Sequence, residues 1–319
     1  MMKRHTLEFW PYLSGLAPRD ITTSQKKILY CIERKPSFPN IQRGDCYLPW
    51  SKMHDIQEDV ERTWKQGIAA NPSMTNVLKP SIQGISADGK TIQTAFGTSQ
   101  TSFWIKRRLS SYSPLVQESI GDQFPFLNIG IVTVTADDQI LLEQRPLNTT
   151  AGGMLLNYPC SYLNLAERTL EESIRAQAGA EIGVHILVSN APEGVIRDIT
   201  SLGIQRESNG WTPHYTFLMK LTVSAAEIRA AKKTKQITHA PADPEQLIAY
   251  IAERYSPTIT GDAAQRLVPN ATGMLASYLR SVGGERAYEN LVDRLTETAK
   301  TLGYALRTVD YTAEKNRFC

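Results

Sequence analysis

The sequence predicts an α+β fold, and three observations carry that prediction. Strand-type segments crowd the middle of the chain, led by a run of β-branched residues at 127–135 (LNIGIVTVT). Helix-type periodicity dominates the final third. The chain has 319 residues, of which 41% are hydrophobic, enough for a sizeable core and intermediate between one large domain and two ordinary ones.

Taken in order, the first 120 residues mix short strand-like pieces with one good helix. Residues 27–32 (KILYCI) read as a strand and 52–67 (KMHDIQEDVERTWKQG) as an amphipathic helix. Residues 82–85 and 91–96 flank an Asp88-Gly89 turn, the signature of a hairpin. Phe103-Trp104-Ile105 then leads into Lys106-Arg107-Arg108, which reads as a solvated edge or a phosphate contact. A polar, Pro-bearing stretch at 110–122 marks a boundary, giving an N-terminal α+β domain over 1–120 and a second domain over 121–319.

In the second domain, residues 136–139 turn the first strand back into a partner at 140–145 (ILLEQR), followed by a loop with Gly152-Gly153 and then 154–158 before Pro159. Residues 166–180 read as a helix, because Leu170, Ile174 and Ala178 recur every fourth residue and Glu171 lies one turn before Arg175. Strands follow at 185–188 and 216–223. Helices are expected at 225–233, 244–255, 272–282 and 285–302.

Composition excludes several classes of function. Thirty-five Lys and Arg against 32 Asp and Glu leave a net charge of +3, too small for a protein built to hold nucleic acid or an anionic membrane. No apolar run approaches the roughly 20 residues of a membrane helix. The N-terminal stretch MMKRHTLEFWPYLSGL is too interrupted by polar residues to serve as a signal peptide. Cysteines at 31, 46, 160 and 319 form no CxxC pair, which suits a reduced, cytoplasmic protein, and Cys160 reads as an inert buried thiol. Histidines at 5, 54, 185, 214 and 239 form no HxH or HExxH cluster, so metal chemistry would have to use carboxylates. P-loop, dinucleotide-binding and Gly-x-Ser-x-Gly patterns are absent.

The order of elements in the second domain carries a resemblance: a strand hairpin (LNIGIVTVTADDQILLEQRP), a loop ending in Tyr158-Pro159, one helix, then EIGV running into a strand. This stretch, roughly residues 124–225, resembles the Nudix hydrolase superfamily. The resemblance implies a mixed-sheet α/β/α sandwich and hydrolysis of a phosphate- or diphosphate-containing, nucleotide-like small molecule with Mg2+. The family's motif is G-x5-E-x7-R-E-U-x-E-E-x-G-U, with U a bulky aliphatic residue. Its Glu residues converge on one helix face and hold magnesium, which activates the attacking water. Aligned on Gly183-Val184, the motif retains Glu181, but the other positions fall on Ala180, Gln177, Ala176, Arg168 and Tyr162. Shifting the frame by one residue recovers Arg175 and Glu167 and loses Glu181. Neither register keeps more than one metal carboxylate, so the implied metal ligands are Glu181 and Glu167, and a metal-free site is the alternative.

Other residues suggest roles of their own. Arg145 closes the second hairpin strand and serves either as a partner for Glu181 or as a receptor for a substrate anion. Trp211, His214 and Tyr215 stand just before a strand, either as its polar start or as a platform for stacking a flat ring and moving a proton. Tyr158 and Tyr162 flank Cys160 and are candidates for the same pocket. The candidate set is thus Glu181 and His214 for catalysis, with Arg145, Tyr158, Tyr162, Trp211 and Tyr215 for substrate. Two alternatives stand beside the hydrolase reading: metal-independent acid–base chemistry on a small metabolite, and small-molecule binding without catalysis. A homodimer is common among proteins of this size.

Overall fold

The computed structural model describes residues 2–10, 14–25, 50–72, 74, 76, 78–85, 91–108, 111, 128–147, 151–162, 170–182, 195–207, 213–231, 236–259 and 264–311. The fold is mixed α and β. The predicted strands at 27–32 and 185–188 lie outside the described residues.

The smaller part of the molecule begins with β2 (Thr22–Gln25) and α1 (Trp50–Ala70), followed by the hairpin β3 (Leu78–Ile85) and β4 (Thr91–Thr98). It ends with α2 (Ser99–Arg108), a helix where the sequence suggested only short strand-like pieces. The sheet order is β2-β4-β3, with β2 parallel and β3 antiparallel to β4. The two helices meet through Trp64 against Phe103 and through Asp59, whose buried carboxylate accepts from Trp104 Nε1 at 2.9 Å and Arg108 Nε at 3.3 Å. Arg107 lies over the Phe103 ring. Two of the three consecutive cations are therefore engaged within the fold.

Among the described residues, the larger sheet has nine strands. Its main path runs β11 (Ile237–Pro241), β6 (Gln139–Gln144), β5 (Asn128–Val134), β10 (His214–Leu221), β9 (Ile196–Glu207), β1 (Lys3–Trp10) and β12 (Tyr304–Asp310). Its first surprise is β1. This strand runs antiparallel to β9 and parallel to β12, so residues 3–10 complete the larger sheet. Leu7, Phe9 and Trp10 of β1 are buried in the core of the larger sheet, so the expected 1–120 unit contributes its first strand to that sheet.

Strand alternation explains how the sheet is covered on both faces. Along β10, Tyr215, Phe217 and Met219 point to one side, where α3 (Leu170–Ile182) contributes Leu170, Ile174, Ala178 and Ile182 and α4 (Ala225–Ala231) contributes Ala225 and Ile228. The alternate residue Leu218 points to the other side with Val132 and Val134 of β5. There α5 (Pro244–Arg254) and α6 (Pro269–Thr301) cover the sheet with Leu247, Ile251, Met274, Leu275 and Leu279. The result is a three-layer α/β/α arrangement. The predicted face of α3 is confirmed, and Arg175 bonds Glu171 at 2.9 Å.

The β5–β6 hairpin forks as it leaves its turn. The strands pair at Val134 and Ile140, then separate, and β7 (Leu155–Asn157) and β8 (Cys160–Tyr162) fill the gap. Tyr158 bridges the fork: Thr133 Oγ1 donates to its carbonyl at 2.8 Å, and its N–H donates to Leu141 O at 3.3 Å. The fork spreads the far end of the hairpin and opens that end of the sheet to loops.

Candidate functional site

The open end of the sheet is defined by where β5 and β10 begin. They run parallel, with His214 opposite Asn128, and β9 places Gln205 opposite His214 on the other flank. The N-terminus of α6 comes to the same place. Asn270, at its start, brings its Nδ2 within 3.0 Å of His214 Nε2, and Asn128 Nδ2 lies 3.3 Å from the same nitrogen. The two amides thus converge on one ring nitrogen. Gln205 Nε2 donates to the Asn270 carbonyl at 3.2 Å, supporting the first turn of the helix from below. Such close approach needs a glycine: a Cβ at Gly273 would fall 2.3 Å from Gln205 Oε1.

Three of these four polar side chains are almost fully buried, with Asn128 at 9%, His214 at 6% and Gln205 at 1% exposure. Asn128 Oδ1 and Gln205 Oε1 have no hydrogen-bond partner. A buried acceptor left unmet costs about 1–3 kcal/mol, so a fold that keeps two of them together invites a donor from outside the chain. The helix adds its own polarity. Val268 caps α6 without a side-chain bond, and the first-turn N–H groups give that end partial positive charge.

Arg145 arrives at this end because β6 runs antiparallel to β5. Its N–H donates to Met154 O at 2.8 Å and its carbonyl accepts from Gly153 N at 2.9 Å, closing a loop. Leu155 O in turn accepts from Val268 N at 2.9 Å, tying that loop to the start of α6. The backbone of Tyr162 lies opposite Asn128 in β8. The structure thus assembles His214, the backbone of Tyr162 and the Arg145 loop at one end of the sheet.

It does not bring the side chains of Tyr158 and Tyr215 to that end of the sheet. Tyr158 and Tyr215 are buried in the core on the α3 face. Tyr215 accepts from Ser201 Oγ at 3.3 Å and lies against Phe217, while its neighbour His214 faces α6. Adjacent residues on a strand project to opposite faces, so His214 and Tyr215 cannot form one platform. Trp211 and Glu167 lie outside the described residues. Glu181 occupies the last turn of α3, and its side chain lies outside the described set.

The carboxylates that are described do not fit a carboxylate-held magnesium. Glu171 is held by Arg175, and it precedes Glu181 by ten positions, about 15 Å along the helix axis at 1.5 Å per residue. Ligands of one ion must lie within a few ångströms of each other, at about 2.0–2.1 Å from the metal. Among the described residues no group of three or more His, Cys, Asp or Glu side chains comes together. No helix among them is long and apolar enough to cross a membrane.

Sequence reasoning found His214 from its position before a strong strand. It missed Asn128, Gln205 and Asn270, since amides at the ends of elements carry no periodic signal and meet only through strand register. No family model matches the chain, and no curated protein matches it.

Proposed function

We propose that this chain is a Nudix-like sandwich protein that acts on a phosphate- or diphosphate-bearing small molecule at the His214 end of its sheet. In this reading its chemistry relies on hydrogen-bonding and acid–base groups in place of the family's set of metal carboxylates. The observation that carries the reading is a buried histidine clasped by two amides at the N-terminus of α6. Helix N-termini attract phosphate, because unpaired N–H groups and the helix dipole point at the anion. Arg145, on the neighbouring loop, is the candidate second anion contact. His214 is the candidate group for exchanging a proton with a bound ligand once Asn270 turns aside. The order of hairpin, forked loop and covering helix supports the Nudix-like part of the reading, and the degraded motif with its single in-register Glu181 supports the departure from metal chemistry.

The test is calorimetric titration with a nucleoside diphosphate, with and without Mg2+, on wild type, His214→Gln and Glu181→Gln. Binding that is independent of Mg2+, weakens at least tenfold in His214→Gln and is unchanged in Glu181→Gln is the expected result. Binding that requires Mg2+ and disappears in Glu181→Gln would restore the metal-dependent hydrolase. The absence of binding to any phosphate compound would defeat both.

A further inference from the structure

We infer that the His214 end of the sheet reads a planar amide edge, a carboxamide or cyclic amide that presents one N–H donor beside one carbonyl acceptor. This inference rests on the reading of that end as a small-molecule site and adds the chemical group it recognises.

A primary amide has two N–H donors and one oxygen with two lone pairs. Asn128 directs Nδ2 at His214 Nε2, which leaves its second donor, and its Oδ1 is buried without a partner. Asn128 therefore presents an acceptor and a donor side by side. That pattern is complementary to another amide edge, which would place its N–H on Oδ1 and its carbonyl on the remaining Nδ2 proton. The same bidentate logic lets asparagine and glutamine read an adenine edge in DNA.

An anion alone meets this demand poorly. Carboxylate and phosphate oxygens bring acceptors, and Asn128 Oδ1 and Gln205 Oε1 are themselves acceptors. The helix N-terminus still has a use in this arrangement, because its partial positive charge stabilises the carbonyl end of an amide dipole. The surrounding chain holds Asn128 in place. Its N–H donates to Pro213 O at 3.0 Å, so its backbone donor is already used. Asn270 is the partly exposed member of the cluster, with its Nδ2 3.0 Å from His214 Nε2.

The experiment uses the full chain and small probes, followed by protein-observed NMR of the His214 ring together with equilibrium titration. Benzamide carries the edge, N,N-dimethylbenzamide has the donors removed, and benzoate replaces the donor by a second acceptor. The expected result is that benzamide binds at least tenfold tighter than either analogue and shifts the His214 ring signals, and that Asn128→Leu abolishes the preference. Because the decisive comparison varies the ligand on the unaltered protein, it stands even where Asn128→Leu fails to fold. Benzoate binding as well as or better than benzamide would overturn the inference, as would the absence of any binding, in which case solvent meets the orphaned acceptors. A nucleoside diphosphate titrated in parallel separates the two readings. If it binds where benzamide does not, the amide inference fails and the phosphate reading stands. If benzamide binds where the diphosphate does not, the amide site stands alone.

Discussion

The turn between β5 and β6 shows how much a single exposed carboxylate can organise. Asp137 accepts from Thr135 Oγ1 at 2.6 Å and from the backbone N–H of Ala225 at 2.9 Å, so it links the hairpin to the first turn of α4. Ser224 and Glu227 close the same helix start reciprocally. The Ser224 N–H and hydroxyl both donate to Glu227 Oε2 at 2.7 Å, and Glu227 N donates back to Ser224 Oγ at 3.3 Å. Replacing Asp137 or Ser224 by Ala is expected to cost about 1 kcal/mol each, the usual value of a lost cap, measured by urea denaturation. The Asp137 carboxyl titrates below its ordinary value, chiefly because the Thr135 hydroxyl donates to the ionised form. Because the folded form holds the proton less tightly, the contribution is present above the ordinary Asp range and is lost as pH falls through it. The stability gap between wild type and Asp137→Asn should therefore narrow between about pH 5 and pH 3, and Asp137 is exposed enough that salt will also reduce it. A gap that stays constant across that range would remove the carboxylate's charge from the account. None of this was legible in the sequence beyond an Asp-Asp turn, since the meeting of residues 137 and 225 depends on the sheet. His214 was legible as a polar residue before a strand, but not its separation from Tyr215, which follows from knowing that both faces of the sheet are covered.

Among the elements, legibility tracks periodicity. Helix α3 was readable because its apolar residues fall every fourth position and only one side of it is buried. β9 was not, for a physical reason: its central stretch from Leu202 to Gln205 is buried on both faces, so alternation is lost, while Arg197, Asp198 and Gln205 interrupt any apolar run. β12 is an edge strand with half-exposed residues, and it follows the last helix so closely that it reads as part of the helical end. Helix α6 was legible, as α3 was: the sequence suggests two helices, at 272–282 and 285–302, and α6 consists of two helical halves broken at Gly284, with φ 73° and ψ −177°. A Cβ there would meet nothing within 4 Å, so any penalty for substitution is backbone strain alone. Gly284→Ala is expected to lower stability by about 1–3 kcal/mol, because that φ/ψ region is nearly restricted to glycine. Arg280, bonded to Glu285 at 2.8 Å across the kink and to Asp310 of β12 at 3.0 Å, resists straightening. If Gly284→Ala unfolds at the wild-type urea midpoint, the kink is not strained and the two halves of α6 bend freely.

At the scale of the whole molecule, the first strand decides what counts as a folding unit. A boundary at residue 120 treats 121–319 as self-sufficient, yet β1 lies between β9 and β12 and is the strand to which β12 is joined. Without β1, β12 loses its ladder, and the core loses Leu7, Phe9 and Trp10, each no more than 3% exposed. Each such side chain contributes about 1.5–3 kcal/mol on burial, and three together rival the roughly 5–15 kcal/mol of net stability of an ordinary domain. The polar contacts of the same strand go with them: His5 Nδ1 lies 2.5 Å from Tyr255 Oη at the end of α5, and Glu8 bonds Arg206 at 2.7 Å. Residues 121–319 alone are therefore expected to unfold without a cooperative transition, or to aggregate, in thermal melts followed by circular dichroism. A chain in which residues 1–21 are joined to 121–319 by a flexible linker should recover a cooperative melt, although it lacks the β2–β4 sheet with α1 and α2. Because the His214 cluster is built on β5, β9, β10 and α6, the same chain should also keep the ring signals of His214 seen in the intact protein. A cooperative melt of 121–319 on its own, at the temperature of the full chain, would restore the boundary at 120 and make β1 an accessory to the sheet. Recovery that depends on residues 1–21 would instead show that the smaller unit is an insertion between the first strand of the larger sheet and the remainder of it. The placement of β1 could not be foreseen from local pattern, because residues 3–10 pair with strands about two hundred and three hundred positions away.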